Sequence, residues 1–148
     1  MIEKVQESHL YMWLKEKDSK FLSKLDETIE YANTILPQIN NVFASYTVHG
    51  VRHSINVMEY MYALVVDINK LSELEVALLI YSALMHNIGM IANVDEIKEI
   101  KADHAILGER KYSKVLEKYG DEMTALQECV RPVHGKRARD YIETKMDE

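Results

Sequence analysis

The stretch Leu79–Met90, LIYSALMHNIGM, decides the fold. It is apolar at nearly every position until it reaches His86-Asn87, and Ile88-Gly89 follow that pair. The segment just before it, Ser72-Glu73-Leu74-Glu75, reads as a capping box, in which Ser72 and Glu75 each satisfy a backbone N–H at a helix start. The two together predict a helix from about 73 to 87. Its middle is apolar on every side, so the central, buried helix is expected here. Gly89 suits a left-handed residue after its end. His86 and Asn87 then fall where the most buried helix stops.

Working outward, the chain of 148 residues contains only 5 Gly and 2 Pro, and with so few breakers the 3.6-residue periodicity extends over most of it. An all-α fold of six to seven helices is expected. Residues 3–17 read as a first helix and 19–36 as a second, capped by Ser19 and stopped by Pro37. After an irregular segment at 37–46, a third helix is expected over about 48–69. Thr47 would cap it, and His53, Val57, Met61, Leu64, Val65 and Ile68 would line its inward face. Asp95–Tyr119 is polar and helical with a break near Gly108. Gly120 stops it, Asp121 caps a short helix to Val130, and Pro132 ends that one. His134–Met146 is the last helix. It reaches the final residues without a stop signal, which reads as a chain cut mid-fold. The expected organisation is one domain, with N-terminal helices in 1–46 and the motif-bearing core in 47–148.

Charge and cysteine content narrow the function. A formal net charge of −6 disfavours non-specific nucleic-acid binding, which needs cations to neutralise phosphates, although Arg131, Lys136, Arg137 and Arg139 form a local basic patch. A single cysteine, Cys129, excludes an internal disulfide. No signal-peptide pattern is present, and the longest apolar run falls far short of the ~20 residues a bilayer span needs. A cytoplasmic protein without a membrane partner is expected.

Six histidines carry whatever chemistry the chain has. His49 and His53 are four apart and share a helix face. His53, His86 and His134 each fall on an inward helix position. Taken singly, each is better read as a hydrogen-bonded core histidine. Three on three helices point to convergence in a bundle core, where helices bring side chains onto a metal. His104, in KADHAILGER, reads as a solvated surface residue, and His9 as a structural one near Trp13.

The successive segments TVHGVRHS (47–54), LMHNIGM (84–90) and RPVHGKRARDYIE (131–143) resemble the motifs of the HD superfamily of metal-dependent phosphohydrolases. The spacing is most similar to HD domains fused to GHKL-type, chaperone-like ATPases. There the pattern runs T-x-H-G/D-x-x-H-S, then L-L-H-D-I-G-M, then H-G-x-R-S-x-x-Y-I. The resemblance implies an HD-type helical bundle around a divalent metal (Mn, Fe, Mg, Zn, Ni or Co), hydrolysing a phosphoester of a nucleotide or another phosphorylated small molecule. It assigns His53, His86, Asn87 and His134 to the metal and places His49 beside the pocket. A basic group could neutralise the phosphate: Arg52, Arg131, Lys136 and Arg137 are the candidates, each better read singly as a solvated surface charge, with Lys136 and Arg137 favoured because they are one turn or less from His134. The resemblance also implies a downstream GHKL-type ATPase domain in a longer chain. Apolar surface left by a truncation would favour a homodimer.

The chain departs from that pattern twice. Asn87 stands where the family has aspartate, and a neutral amide is a much poorer ligand for a hard dication than a carboxylate. Water activation by the metal would weaken with it. The family's closing aspartate has no convincing match, since Asp140 and Asp147 lie on or just past the helix of His134. Three readings follow: a phosphohydrolase weakened or abolished by Asn87, a catalytically degenerate HD-like regulatory or ligand-sensing module of a larger protein, and a helical interaction module alike only in architecture.

Overall fold

A computed structural model describes residues 2–44 and 50–146. The expected all-α architecture is what it shows: the described residues form helices without a β-strand, apart from one isolated bridge between Leu107 and Arg110. Among them no single helix is long and apolar enough to cross a membrane. The chain divides into two compact units, Met1–Pro37 with Val48–Met85, and Gln38–Thr47 with His86–Glu148.

In the first unit, α1 (Ile2–Gln6) and α2 (His9–Glu16) replace the single helix expected over 3–17. The break is at Ser8, whose backbone is extended (φ −66°, ψ 146°) and whose residue type favours the position before a helix. Helix α3 (Leu22–Ile35) starts later than expected. Its flanking residue is Phe21, and Ser19 does not cap it. It ends before Pro37, which lies in a 3-10 turn over Leu36–Ile39. The short α4 (Asn40–Phe43), which belongs to the second unit, follows in the segment expected to be irregular.

Helix α5 (Val51–Leu64) is shorter than expected. The β-branched pair Val65-Val66 and the turn-former Asp67 end it, and the Asp67 side chain accepts from the Asn69 N–H to cap a 3-10 turn at Ile68–Lys70. Its buried residues are Val51, Ser54 and Met58, so the inward face is rotated from the expected one and Leu64 is 82% exposed. The Thr47 cap expected for this helix lies outside the described residues.

Helix α6 (Glu73–Met85) packs on α2, α3 and α5 through Val76, Ala77, Ile80, Ala83 and Leu84. The capping box is present: the Ser72 N–H donates to Glu75 Oε2 at 2.8 Å and the Glu75 N–H to Ser72 Oγ at 3.3 Å. The expectation of burial on all sides fails at Leu74 and Leu78, both half exposed. These two are one turn apart on the side away from the buried set, so the helix keeps an outer face despite its apolar sequence.

The second unit contains α7 (Val94–Lys101), α8 (Tyr112–Tyr119), α9 (Glu122–Val130) and α10 (His134–Met146). The Asn93 side chain caps α7 by accepting from the Glu96 N–H at 2.8 Å. The break expected near Gly108 spans Ala102 to Lys111 and holds Asp103 at φ +59°. Gly120 closes α8 at φ +70°, a conformation only glycine adopts without strain, and Asp121 caps α9 by accepting from the Thr124 N–H at 2.7 Å. Pro132 sits in a 3-10 turn, Arg131–Val133, that leads into α10. Helix α9 is the hub of this unit, packing on α4, α7 and α8, with Ala125, Leu126, Cys129 and Val130 buried. Burial raises the Cys129 thiol above its ordinary range, so it is an inert core residue.

Candidate functional site

The HD-like pair sits where α6 gives way to a short 3-10 turn, Ile88–Met90. The helix ends at Met85, and this changes the expected setting of His86, which is exposed instead of presented from the inner face of a buried helix. Asn87 is the buried member, 6% exposed, with φ −100° and ψ 1°. Its side-chain amide nitrogen lies 2.8 Å from His86 Nε2. An amide NH2 can only donate, so Nε2 is the acceptor and the imidazole proton resides on Nδ1. The lone pair that a metal would take from Nε2 is therefore engaged by the neighbouring amide.

Helix α10 packs against the turn, and Gly89 is the point of contact. A Cβ built on Gly89 would overlap the backbone carbonyl oxygen of His134 and lie 2.6 Å from the backbone nitrogen of Ala138. Gly89 does not have positive φ, so the left-handed reading of this glycine is wrong. Its lack of a side chain serves a close backbone crossing instead. Next to it, the Arg137 guanidinium donates to three acceptors: Nε to the Gly89 carbonyl at 2.8 Å, Nη2 to the Ile91 carbonyl at 2.5 Å and Nη1 to Glu96 Oε1 at 2.5 Å.

His134 is half-buried at the start of α10, and its Nδ1 lies 2.6 Å from the Arg131 carbonyl. A carbonyl only accepts, so Nδ1 carries a proton, and in the neutral ring Nε2 then holds the lone pair. His53 is half-buried on α5 in the first unit, whereas His86, Asn87 and His134 belong to the second. His49 lies outside the described residues. His104, as expected, is exposed, with Glu99 beside it. His9 has Glu59, 2.5 Å from Nδ1, and the stacked Tyr62 ring as partners.

The sequence model of the HD-CE family matches residues 43–148, well over half of the chain and all of the motif-bearing segments. The chain belongs to the HD-CE family. No curated protein and no solved structure matches it. The match supports an HD-type domain, as the three motifs imply.

HD domains generally bind divalent metals, and in the second unit of this HD-CE domain the HD pair itself is a poor donor set for such an ion. Among the described residues no group of three or more His, Cys, Asp or Glu side chains is placed to share a metal. The chemistry of the pair agrees, since a neutral amide and an imidazole already hydrogen-bonded to each other make a weak donor set for a hard cation. The basic patch is also largely neutralised. Arg131 pairs with Glu128, Lys136 with Asp140, and Arg139 lies near Asp140 and Glu143. Glu96 and the carbonyls of Gly89 and Ile91 are unexpected partners of Arg137. The spacing of 41 residues or more between them leaves no local signal.

Proposed function

We propose that this HD-CE domain retains an HD-type phosphoester-binding scaffold with hydrolysis weakened or abolished at Asn87, and that it acts as a ligand-sensing or regulatory module. The observation that carries this reading is the bond from the Asn87 amide to His86 Nε2. It ties up the imidazole of the HD pair with a donor where the family has a metal-binding carboxylate. The proposed ligand is a nucleotide or another phosphorylated small molecule. The proposed recipient of the signal is a neighbouring domain of a longer protein, with the GHKL-type ATPase of the sequence resemblance as the first candidate.

A second reading, a working phosphohydrolase of low activity, draws on His134. Its ring is oriented by a backbone carbonyl through Nδ1 while Nε2 keeps its lone pair, which is how metal-ligating histidines are commonly held.

The two readings separate in one comparison of the natural chain with Asn87→Asp. Metal content would be measured after incubation with Mn2+, and hydrolysis with bis-p-nitrophenyl phosphate and with nucleotides. The expected result is a natural chain with sub-stoichiometric metal and no turnover, and an Asn87→Asp variant that gains metal. Turnover by the natural chain with bound metal would establish the second reading. An Asn87→Asp variant with neither metal nor activity would remove the phosphohydrolase ancestry from the proposal.

A further inference from the structure

We propose that Arg137 is a positioning residue, a clasp that fixes α10, and with it His134, against the turn that carries the HD pair. Arg137 is one turn along α10 from His134, and its side chain is only 18% exposed. Its three acceptors come from two directions. The Gly89 and Ile91 carbonyls belong to the turn and its exit, and Glu96 belongs to the first turns of α7. A guanidinium is planar and presents its donors as a rigid fork, so it can serve several fixed acceptors at once. A lysine ammonium in the same place is a point charge on a flexible stem.

The second component of the clasp is the bare face of Gly89, which lets the backbone at His134 and Ala138 come into contact with the turn. Helix α10 is thus registered twice within a few residues, sterically at Gly89 and by charge-assisted hydrogen bonds at Arg137. Asn87 is two residues before the steric contact, and His134 provides it. A shift of one against the other has to break the Arg137 bonds. This assignment removes Arg137 from the candidates for phosphate binding and does not depend on whether the domain hydrolyses anything.

The test uses the full chain and the variants Arg137→Ala, Arg137→Lys and Glu96→Gln. Two readouts are needed: amide hydrogen exchange, and the nitrogen NMR signals of the His86 and His134 rings. Arg137→Ala should raise exchange by at least about tenfold at residues 88–92 and 134–138, the factor expected when a charge-assisted hydrogen bond is lost. Exchange at the capping box, residues 72–76, should stay unchanged. The ring signals of His86 and His134 should move. Arg137→Lys should fail to rescue either readout, and Glu96→Gln should give a smaller change of the same pattern. Should Arg137→Ala not fold, the graded effects of the other two variants decide the matter.

A residue that only added stability would lower the unfolding midpoint while the ring signals of the folded protein stayed in place, and that outcome overturns the proposal. So does unchanged exchange in Arg137→Ala accompanied by loss of inorganic phosphate binding, which would return Arg137 to the role of a phosphate cation. Neither outcome bears on the reading of Asn87, which the metal and turnover measurements test separately.

Discussion

At the start of α6, Ser72 and Glu75 satisfy each other's backbone groups across three residues. At its finish, the turn over Ile88–Met90 is held by His134, Arg137 and Ala138 of α10, with Glu96 of α7 holding Arg137 in turn. The first end is local chemistry, and its energy is that of a helix cap. The second is tertiary chemistry, in which a glycine, a guanidinium and two carbonyls meet only after the chain has folded back. The comparison teaches that the residues around the HD-like pair take their conformation from α10 and α7 more than from the helix they terminate. A change on α10 should therefore reach the pair, and a change at the capping box should not.

The largest expected effect comes from Gly89→Ala. The added methyl meets backbone atoms of α10, which have no rotamer to escape into, so either the turn or the helix has to move. Overpacking of this kind costs about 1–3 kcal/mol, and an obstacle made of backbone places it at the upper end. Urea unfolding should show a lower midpoint, and hydrogen exchange should rise across 86–92 and the start of α10. If Gly89→Ala leaves both unchanged, α10 does not lie against this turn as described, and the contrast between the two ends of α6 fails.

That contrast also explains which parts of the molecule were legible in the sequence. The capping box at Ser72, the Asp121 cap and the Gly120 stop are legible, because each is a rule about neighbours within four residues. Leu64 reads as inward but is exposed, because the buried face of α5 runs through Val51, Ser54 and Met58, and an apolar stripe does not reveal which side packs. Gly89 reads as a helix end with conformational freedom, whereas its role is set by a helix 45 residues further on, which no periodicity encodes. At the site, the motif positions located the histidines and the asparagine. They could not indicate that the Asn87 amide would turn to His86, or that Arg137 would be committed to carbonyls instead of facing a ligand.

Ser72→Ala sharpens the comparison from the other end. It removes the hydroxyl that accepts from the Glu75 N–H and should cost about 1 kcal/mol, the usual value for a helix cap. The loss should be confined to α6 and its packing on α2, α3 and α5. Exchange at 88–92 should not change, and the exchange map of Ser72→Ala should be close to the complement of that of Gly89→Ala. A spread of the Ser72→Ala effect into 88–92 would mean that the two ends of α6 are one cooperative element.

The smallest effect is a pH dependence at the same cap. The Ser72 N–H and hydroxyl both donate to the Glu75 carboxylate, and these bonds hold its pKa below the ordinary glutamate value. A carboxyl whose folded pKa is depressed contributes stability that is fully present above the unfolded pKa, about 4.3, and is lost as pH falls through the lower folded value. Glu75→Gln has no charge to lose over that interval. The difference in unfolding midpoint between the natural chain and Glu75→Gln should therefore be positive at neutral pH, begin to shrink below about pH 4.3, and vanish in acid. Because the carboxylate is solvent-exposed, the difference should be small and should decrease further in high salt. A difference that persists unchanged into acid would mean that Glu75 acts through the shape of its side chain and not through its charge. The capping box would then be a purely geometric device, nearer in kind to the Gly89 contact than the two ends of α6 otherwise suggest.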